Sequence, residues 1–214
     1  MATDPATDPR EKERVEALLA LNRPGVPSLI ARALQVLPNC KIALQIAKSS
    51  PLQAQQALRE NQLGIDGLYR HFHISGNNLD VIDTVVSSYK SLGDKVPSLP
   101  VDQAATDYPT FVRDSPENAL NKDGTPKKVP AFSDKARSKM FFNPIYRTFD
   151  QNAKEPFSGL APLALQAIQL HEMCHFYLDM DDGDPAASST AACLQLAQSF
   201  QGFVMQLALG RPFS

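Results

Sequence analysis

The stretch Gln169 to Asp184, QLHEMCHFYLDMDDGD, limits what this chain can be more than any other part of it. His171 and His175 are four residues apart inside an apolar pattern of helical spacing. A helix therefore stacks them one turn apart on one face, as two ligands of a single metal ion require. Glu172 stands beside them. Zinc accepts imidazole nitrogen readily, and its catalytic sites combine protein ligands with a water molecule and a nearby carboxylate that takes the water's proton. The spacing predicts a hydrolytic metal centre, with His171 and His175 as zinc ligands and Glu172 as general base. The helix that carries them is expected from Leu160 onward. Pro162 suits a first turn, and Leu163, Ala164, Ala167, Ile168, Leu170 and Cys174 recur at helical intervals.

No His, Asp or Glu follows Asp184, so a third protein ligand is expected among Asp179, Asp181, Asp182 and Asp184. A helix continuing through Asp179 would turn that residue away from the histidine face. Asp181 has the offset of HExxHxxGxxD patterns, but those place a glycine where this chain has Leu178, and a left-handed turn at leucine is unfavourable. Gly183 offers a turn that would swing Asp184 back, with Asp182 as the intermediate case and the runner-up. Asp179 and Asp181 are then left to cap, or to orient a histidine. Pro185 is expected to open a last helix, Ala186 to Leu209, that covers the active-site helix.

The remainder sets a frame for this centre. At 214 residues, 43% hydrophobic and 21% charged, the chain can bury one large core or two small ones. A net charge of −2 gives no basic footprint for nucleic acid, and no apolar run is long enough for a membrane span. Residues 1–10 read as disordered and lack the pattern of a cleavable signal. The expectation is a cytoplasmic protein or one exported by a route that reads no such signal. Residues 11–93 read as a helical platform in short pieces, broken at Pro24, Pro27, Pro38 and Pro51. Residues 94–136 read as a long loop, and 137–214 as the metal-site region, the alternative being one compact domain over 11–214. Cys40, Cys174 and Cys193 are too few and scattered for a disulfide scaffold and are expected as free thiols, although Cys174 and Cys193 could meet between packed helices. His71 and His73, in RHFHISGNN, are within the vocabulary of metal ligands but read more readily as surface or supporting residues.

HEMCHF, with an aspartate nine positions after its second histidine, resembles the aspzincin metallopeptidases, the deuterolysin and lysine-specific metallo-endopeptidase group. LAQSFQGF from Leu196 resembles that group's Asn-Ala-Asp-Ser-Tyr-x-x-Phe pattern on its final helix, and the resemblance covers roughly residues 137–207. It implies a zinc ion held by His171, His175 and Asp184, with Glu172 as general base. Three residues after Asp184, where the group's Gly-Thr-x-Asp-x-x-Tyr-Gly signature has tyrosine, this chain has Ala187. Tyr146, Tyr177 and His73 are then the available donors for an oxyanion. In zincin-type enzymes an edge strand beside the active-site helix pairs with extended substrate. In SKMFFNPIYRTF, Met140, Phe141, Phe142, Ile145, Tyr146 and Phe149 give a short strand-like run ended by Asn143-Pro144, and it is the expected edge strand here.

The fold expected is thus α+β and predominantly helical, with a helical region preceding a zincin-like catalytic region that has a short edge strand or small sheet. The function expected is that of a zinc metallo-endopeptidase acting on peptide or protein substrates, in the setting of a toxin or effector domain with a delivery or carrier partner at its helical first half. The competing expectation, from another class, is a non-catalytic metal-binding or partner-binding module with a degenerate site. Structural zinc sites are usually closed and cysteine-rich, whereas Cys174 points between the two histidines.

Overall fold

A computed structural model of the protein describes residues 9–95, 110–113, 131–134, 139–142, 160 and 162–213. The fold is predominantly helical. The first half forms α1 (Pro9–Asn22), α2 (Gly25–Ser49), α3 (Pro51–Glu60), α4 (Gln62–Phe72) and α5 (Val81–Lys95). The second half has α6 (Leu163–Leu178), a 3-10 turn (Pro185–Ala187), a single-turn α7 (Thr190–Cys193) and α8 (Ala197–Leu209). Among the described residues no helix is long and apolar enough to cross a membrane. Of the expected disordered segment 1–10, residues 1–8 lie outside the described residues, and Pro9 already begins α1.

Pro38 does not break the chain as expected, because α2 runs through it for 25 residues. A proline there removes one intrahelical hydrogen bond. Burial on both sides of it, by Leu29, Ile30, Ala33, Leu37, Cys40 and Leu44, offsets that loss. α2 is the spine of the molecule, packing against α3, α5, α6 and α8.

The helical first half and the metal-site region share one core. Phe72 of α4 meets Phe200 and Phe203 of α8 edge-on, at centroid distances of 5.0 and 5.8 Å. Tyr89 of α5 packs on Phe200 at 5.2 Å and donates its hydroxyl to the Phe200 carbonyl at 2.8 Å. Two glycines let α4 and α8 approach this closely. A Cβ at Gly67 would lie 2.9 Å from the Phe203 ring, and one at Gly202 would lie 2.6 Å from the His71 ring. His71 fills that space, buried, with its Nε2 3.3 Å from Gln206 Oε1. Burial lowers its pKa to about 4, so it sits in the core as neutral imidazole.

Three four-residue strands form a small sheet: β1 (Thr110–Arg113), β2 (Ala131–Asp134) and β3 (Lys139–Phe142). The order is β1-β3-β2, with β1 parallel and β2 antiparallel to β3. This corrects two expectations. The strand-like run expected to be ended by Asn143-Pro144 is β3, described to Phe142, with residues 143–149 lying outside the described residues; it is the middle strand rather than an edge, since it has neighbours on both sides. Among the described residues the edge strand that packs on α6 is β2, inside the segment 94–136 that read as loop.

The ring contacts around Phe200 generate a stability prediction. Tyr89→Phe should lower the unfolding free energy by about 1 kcal/mol, the scale of one buried hydrogen bond, and Phe200→Ala by about 3–5 kcal/mol. Chemical denaturation followed by circular dichroism checks both. A Tyr89→Phe loss as large as that of Phe200→Ala would mean that the hydroxyl, rather than ring packing, joins the halves.

Candidate metal centre

α6 is buried over most of its surface, from Ala164 to Cys174, which holds its backbone rigidly beneath the site. His171 and His175 occupy its more open stripe, side by side, with ring centroids 4.7 Å apart. Their Nε2 atoms face each other at 2.9 Å. The Nδ1 atoms point the other way, His175 to the Met180 carbonyl at 2.6 Å and His171 to Gln201 Oε1 at 3.1 Å. A carbonyl only accepts, so Nδ1 of His175 carries its hydrogen, and Gln201 selects the same tautomer at His171. Both Nε2 lone pairs are thereby aimed at one point.

The third group at that point is Asp182. Its Oδ1 lies 3.1 Å from His171 Nε2 and 3.3 Å from His175 Nε2. Ligands bound to one tetrahedral zinc ion at 2.0–2.2 Å stand about 3.4 Å apart, close to these separations. His171, His175 and Asp182 therefore form a group that could hold a metal ion. Two imidazoles and a carboxylate suit zinc and its divalent first-row neighbours. Two lone pairs aimed at each other across 2.9 Å repel unless a cation, proton or metal, lies between them.

The chain reaches this arrangement by a turn at Asp179. α6 stops at Leu178 because Asp179 takes the left-handed conformation (φ 58°, ψ 34°), which aspartate tolerates better than most residues. The N–H groups of Asp179 and Met180 both point to the Cys174 carbonyl. The returning strand is fastened by Asp181, whose N–H donates to the Gln195 carbonyl at 2.7 Å and whose carbonyl accepts from Ala197 at 3.0 Å. Asp182 then falls over the histidines.

Asp184, the ligand expected from the spacing and the resemblance, is used otherwise. Its Oδ1 accepts from the Ala186 N–H at 2.9 Å and caps the 3-10 turn that Pro185 begins, while its carbonyl accepts from Ser188. Gly183 does not supply the expected left-handed turn, since Gly210 is the one glycine with positive φ among the described residues. It is small because the Leu196 side chain would lie 2.8 Å from a Cβ there. The last helix is also not continuous from Ala186. An extended residue at Leu196 interrupts it and supplies the partner for Asp181.

Glu172 is buried, and its Oε2 lies 2.9 Å from the Ser133 hydroxyl of β2, which stands equally near the Glu172 carbonyl. Burial raises its pKa, opposed by His171, by the Ser133 hydrogen bond and by His175, so it holds a proton more readily than an ordinary glutamate. The two histidines hold Asp182 well below the usual carboxylate range, against its own burial. Burial would depress His175, but the Asp182 hydrogen bond, the Met180 carbonyl and the Glu172 charge outweigh it and lift the pKa to about 9.

Among the other sequence candidates, the described histidines have roles of their own. His71 is a core residue, and His73 is the left-handed cap of α4, its carbonyl accepting from Asn78 and Thr190. The Tyr177 ring packs edge-on against Phe176, with Lys95 Nζ 5.8 Å above it. Tyr146 lies outside the described residues. Cys40, Cys174 and Cys193 are separate buried thiols. The residues that sequence reasoning missed are Ser133, Gln198 and Gln201. The glutamines had one signal, amide side chains in an otherwise apolar helix, whereas Ser133 in a polar stretch had none. Comparison with models of known protein families, with curated proteins and with solved structures finds no match to this chain.

Two outcomes follow for metal binding. Asp182→Ala should weaken divalent-ion affinity by at least about tenfold, while Asp184→Ala leaves it unchanged, measured by competition with a chromophoric chelator. The reverse order would restore Asp184. The elevated His175 pKa also has a sign. The stability it contributes to the metal-free protein is complete below the ordinary value near 6.5 and is lost as pH rises through about 9. Near pH 7.5 metal must displace that proton, so calorimetry in buffers of different ionisation enthalpy should report release of about one proton per ion. Buffer-independent heats would contradict the assignment.

Proposed function

We propose that the protein is a metal-dependent peptide hydrolase, a zinc endopeptidase of the HExxH type. The observation that carries this reading is the convergence of both histidine Nε2 atoms and Asp182 Oδ1 beside the buried carboxylate of Glu172. When bound, a zinc ion supplies a Lewis acid that polarises a carbonyl and lowers the pKa of a water molecule towards neutrality.

The chain's own residues do the rest. Glu172 accepts a proton on the carboxylate oxygen not engaged by Ser133 and delivers it to the leaving amine. Its raised pKa suits this shuttle, because a more basic carboxylate takes a proton at a smaller free-energy cost. Gln201 and the Met180 carbonyl keep the imidazoles in the binding tautomer. Among the described residues β2 pairs on one side only, with β3. Its other edge offers backbone groups to an extended peptide next to Glu172, in the manner of a zincin edge strand.

The turn relates this site to the HExxHxxGxxD pattern. There the glycine stands three residues after the second histidine and the aspartate three residues after the glycine. Here the left-handed residue comes one position later, at Asp179, and the carboxylate again follows three residues on, at Asp182. The aspzincin resemblance accordingly rests on HEMCHF and LAQSFQGF, without Asp184.

The test is cleavage of a proteome-derived peptide library by zinc-loaded protein, read by mass spectrometry. Wild type should cut, and Glu172→Gln should retain zinc while losing at least about a hundredfold in rate, the usual scale for a general base. Equal cutting by both would remove Glu172 from the chemistry. Zinc bound by both with no cleavage by either would favour the partner-binding module.

A further inference from the structure

The carboxylate that completes the metal group is the most exposed of its three members, with a side chain 70% exposed against 14% and 18% for the histidines. An exposed aspartate on a loop samples several rotamers, and each lost rotamer opposes metal binding. Something must hold it over the histidines. The side chain placed to do so is Gln198, in the first turn of α8.

Both ends of its amide are used on the same loop. Nε2 donates to Asp182 Oδ1, the oxygen that faces the histidines, and Oε1 accepts from the Gly183 N–H at 3.0 Å. One residue therefore fixes the side chain of position 182 and the backbone of position 183. Its own base is fixed in turn, because the Ala197 N–H donates to the Asp181 carbonyl and Gly183 lies against Leu196. A neutral amide suits this role. It directs a donor at the carboxylate without adding a second negative charge that would repel it, and as a donor it does not compete as a ligand.

Resting on the metal-centre reading above, we infer that Gln198 is the positioning residue for the third ligand, holding Asp182 in its binding geometry before the ion arrives. A clamp of this kind raises affinity by removing an ordering cost, without touching the metal. Support from beyond the ligand shell typically accounts for about 10–100-fold in affinity.

The experiment is a double-mutant cycle on Zn2+ affinity, using chelator competition on the purified full chain for wild type, Gln198→Met, Asp182→Ala and the double variant. Methionine keeps the side-chain volume and deletes both hydrogen bonds. Gln198→Met should weaken Zn2+ binding about 10–100-fold in the wild-type background and have little further effect in Asp182→Ala, since it acts through Asp182. The visible absorption band of the Co2+-loaded Gln198→Met protein should move towards that of Asp182→Ala. Gln198→Ala, measured in parallel, should reproduce these results. Unchanged Zn2+ affinity in both Gln198 variants, or the same loss in both backgrounds, would overturn the inference while leaving the metal centre intact. Equal Zn2+ binding by wild type and His171→Ala would instead overturn the metal-centre reading and this inference with it.

Discussion

Two imidazole nitrogens held 2.9 Å apart with their hydrogens on the far side demand a cation between them, and the rest of the second half is arranged to keep them there. The demand is electrostatic. Each Nδ1 is committed to an oxygen acceptor, so neither ring can relieve the contact by changing tautomer without stranding a half-buried donor or acceptor. Asp182 adds a negative charge at the same point, which raises the affinity for a proton in the metal-free protein and for a divalent ion otherwise. Glu172, one residue from His171 and buried, is close enough to feel both.

Holding this cluster falls to α8. That helix supplies Gln201 to one histidine and Gln198 to the Asp182 loop, and its preceding residues pair with Asp181. It is held from behind by the first half, through Phe72, Tyr89 and the close passage of α4 at Gly67 and Gly202. The helical first half is therefore the wall against which α8 is pressed. The opposite flank is β2, where Ser133 reaches Glu172. A group of converging ligand atoms needs its supporting shell on rigid elements, and here the support comes from one helix and one strand, separated by more than fifty residues of sequence.

The two histidines and the glutamate were legible because a helix turns a four-residue spacing into a shared face, and most of the helices were legible from apolar spacing and proline placement. The carboxylate that meets the histidines, Asp182, was legible only as the runner-up to Asp184, because its place depends on where the helix ends. Leu178 does avoid the left-handed region, as its side chain dictates. The turn passes to Asp179, one residue on, and every later carboxylate shifts with it. Asp184 carried a signal for its actual role, since an aspartate before proline is a strong start for a helical turn. The interruption at Leu196 was hidden inside an Ala-, Leu- and Gln-rich run that reads as unbroken helix. It exists because Asp181 takes the backbone groups there. β2 was hidden for a similar reason, as four residues in a polar, proline-containing stretch become a strand only when β3 is beside them.

The central claim is that His171, His175 and Asp182 surround one ion, and X-ray absorption of the protein loaded with one equivalent of zinc tests it most directly. Zinc held by these three residues has a first shell of nitrogen and oxygen only, at about 2.0–2.2 Å, with the outer-shell scattering of two imidazoles, and that is the expected spectrum. A sulfur at about 2.3 Å, which would bring in Cys174 or another thiol, or the absence of any imidazole signature, would contradict it.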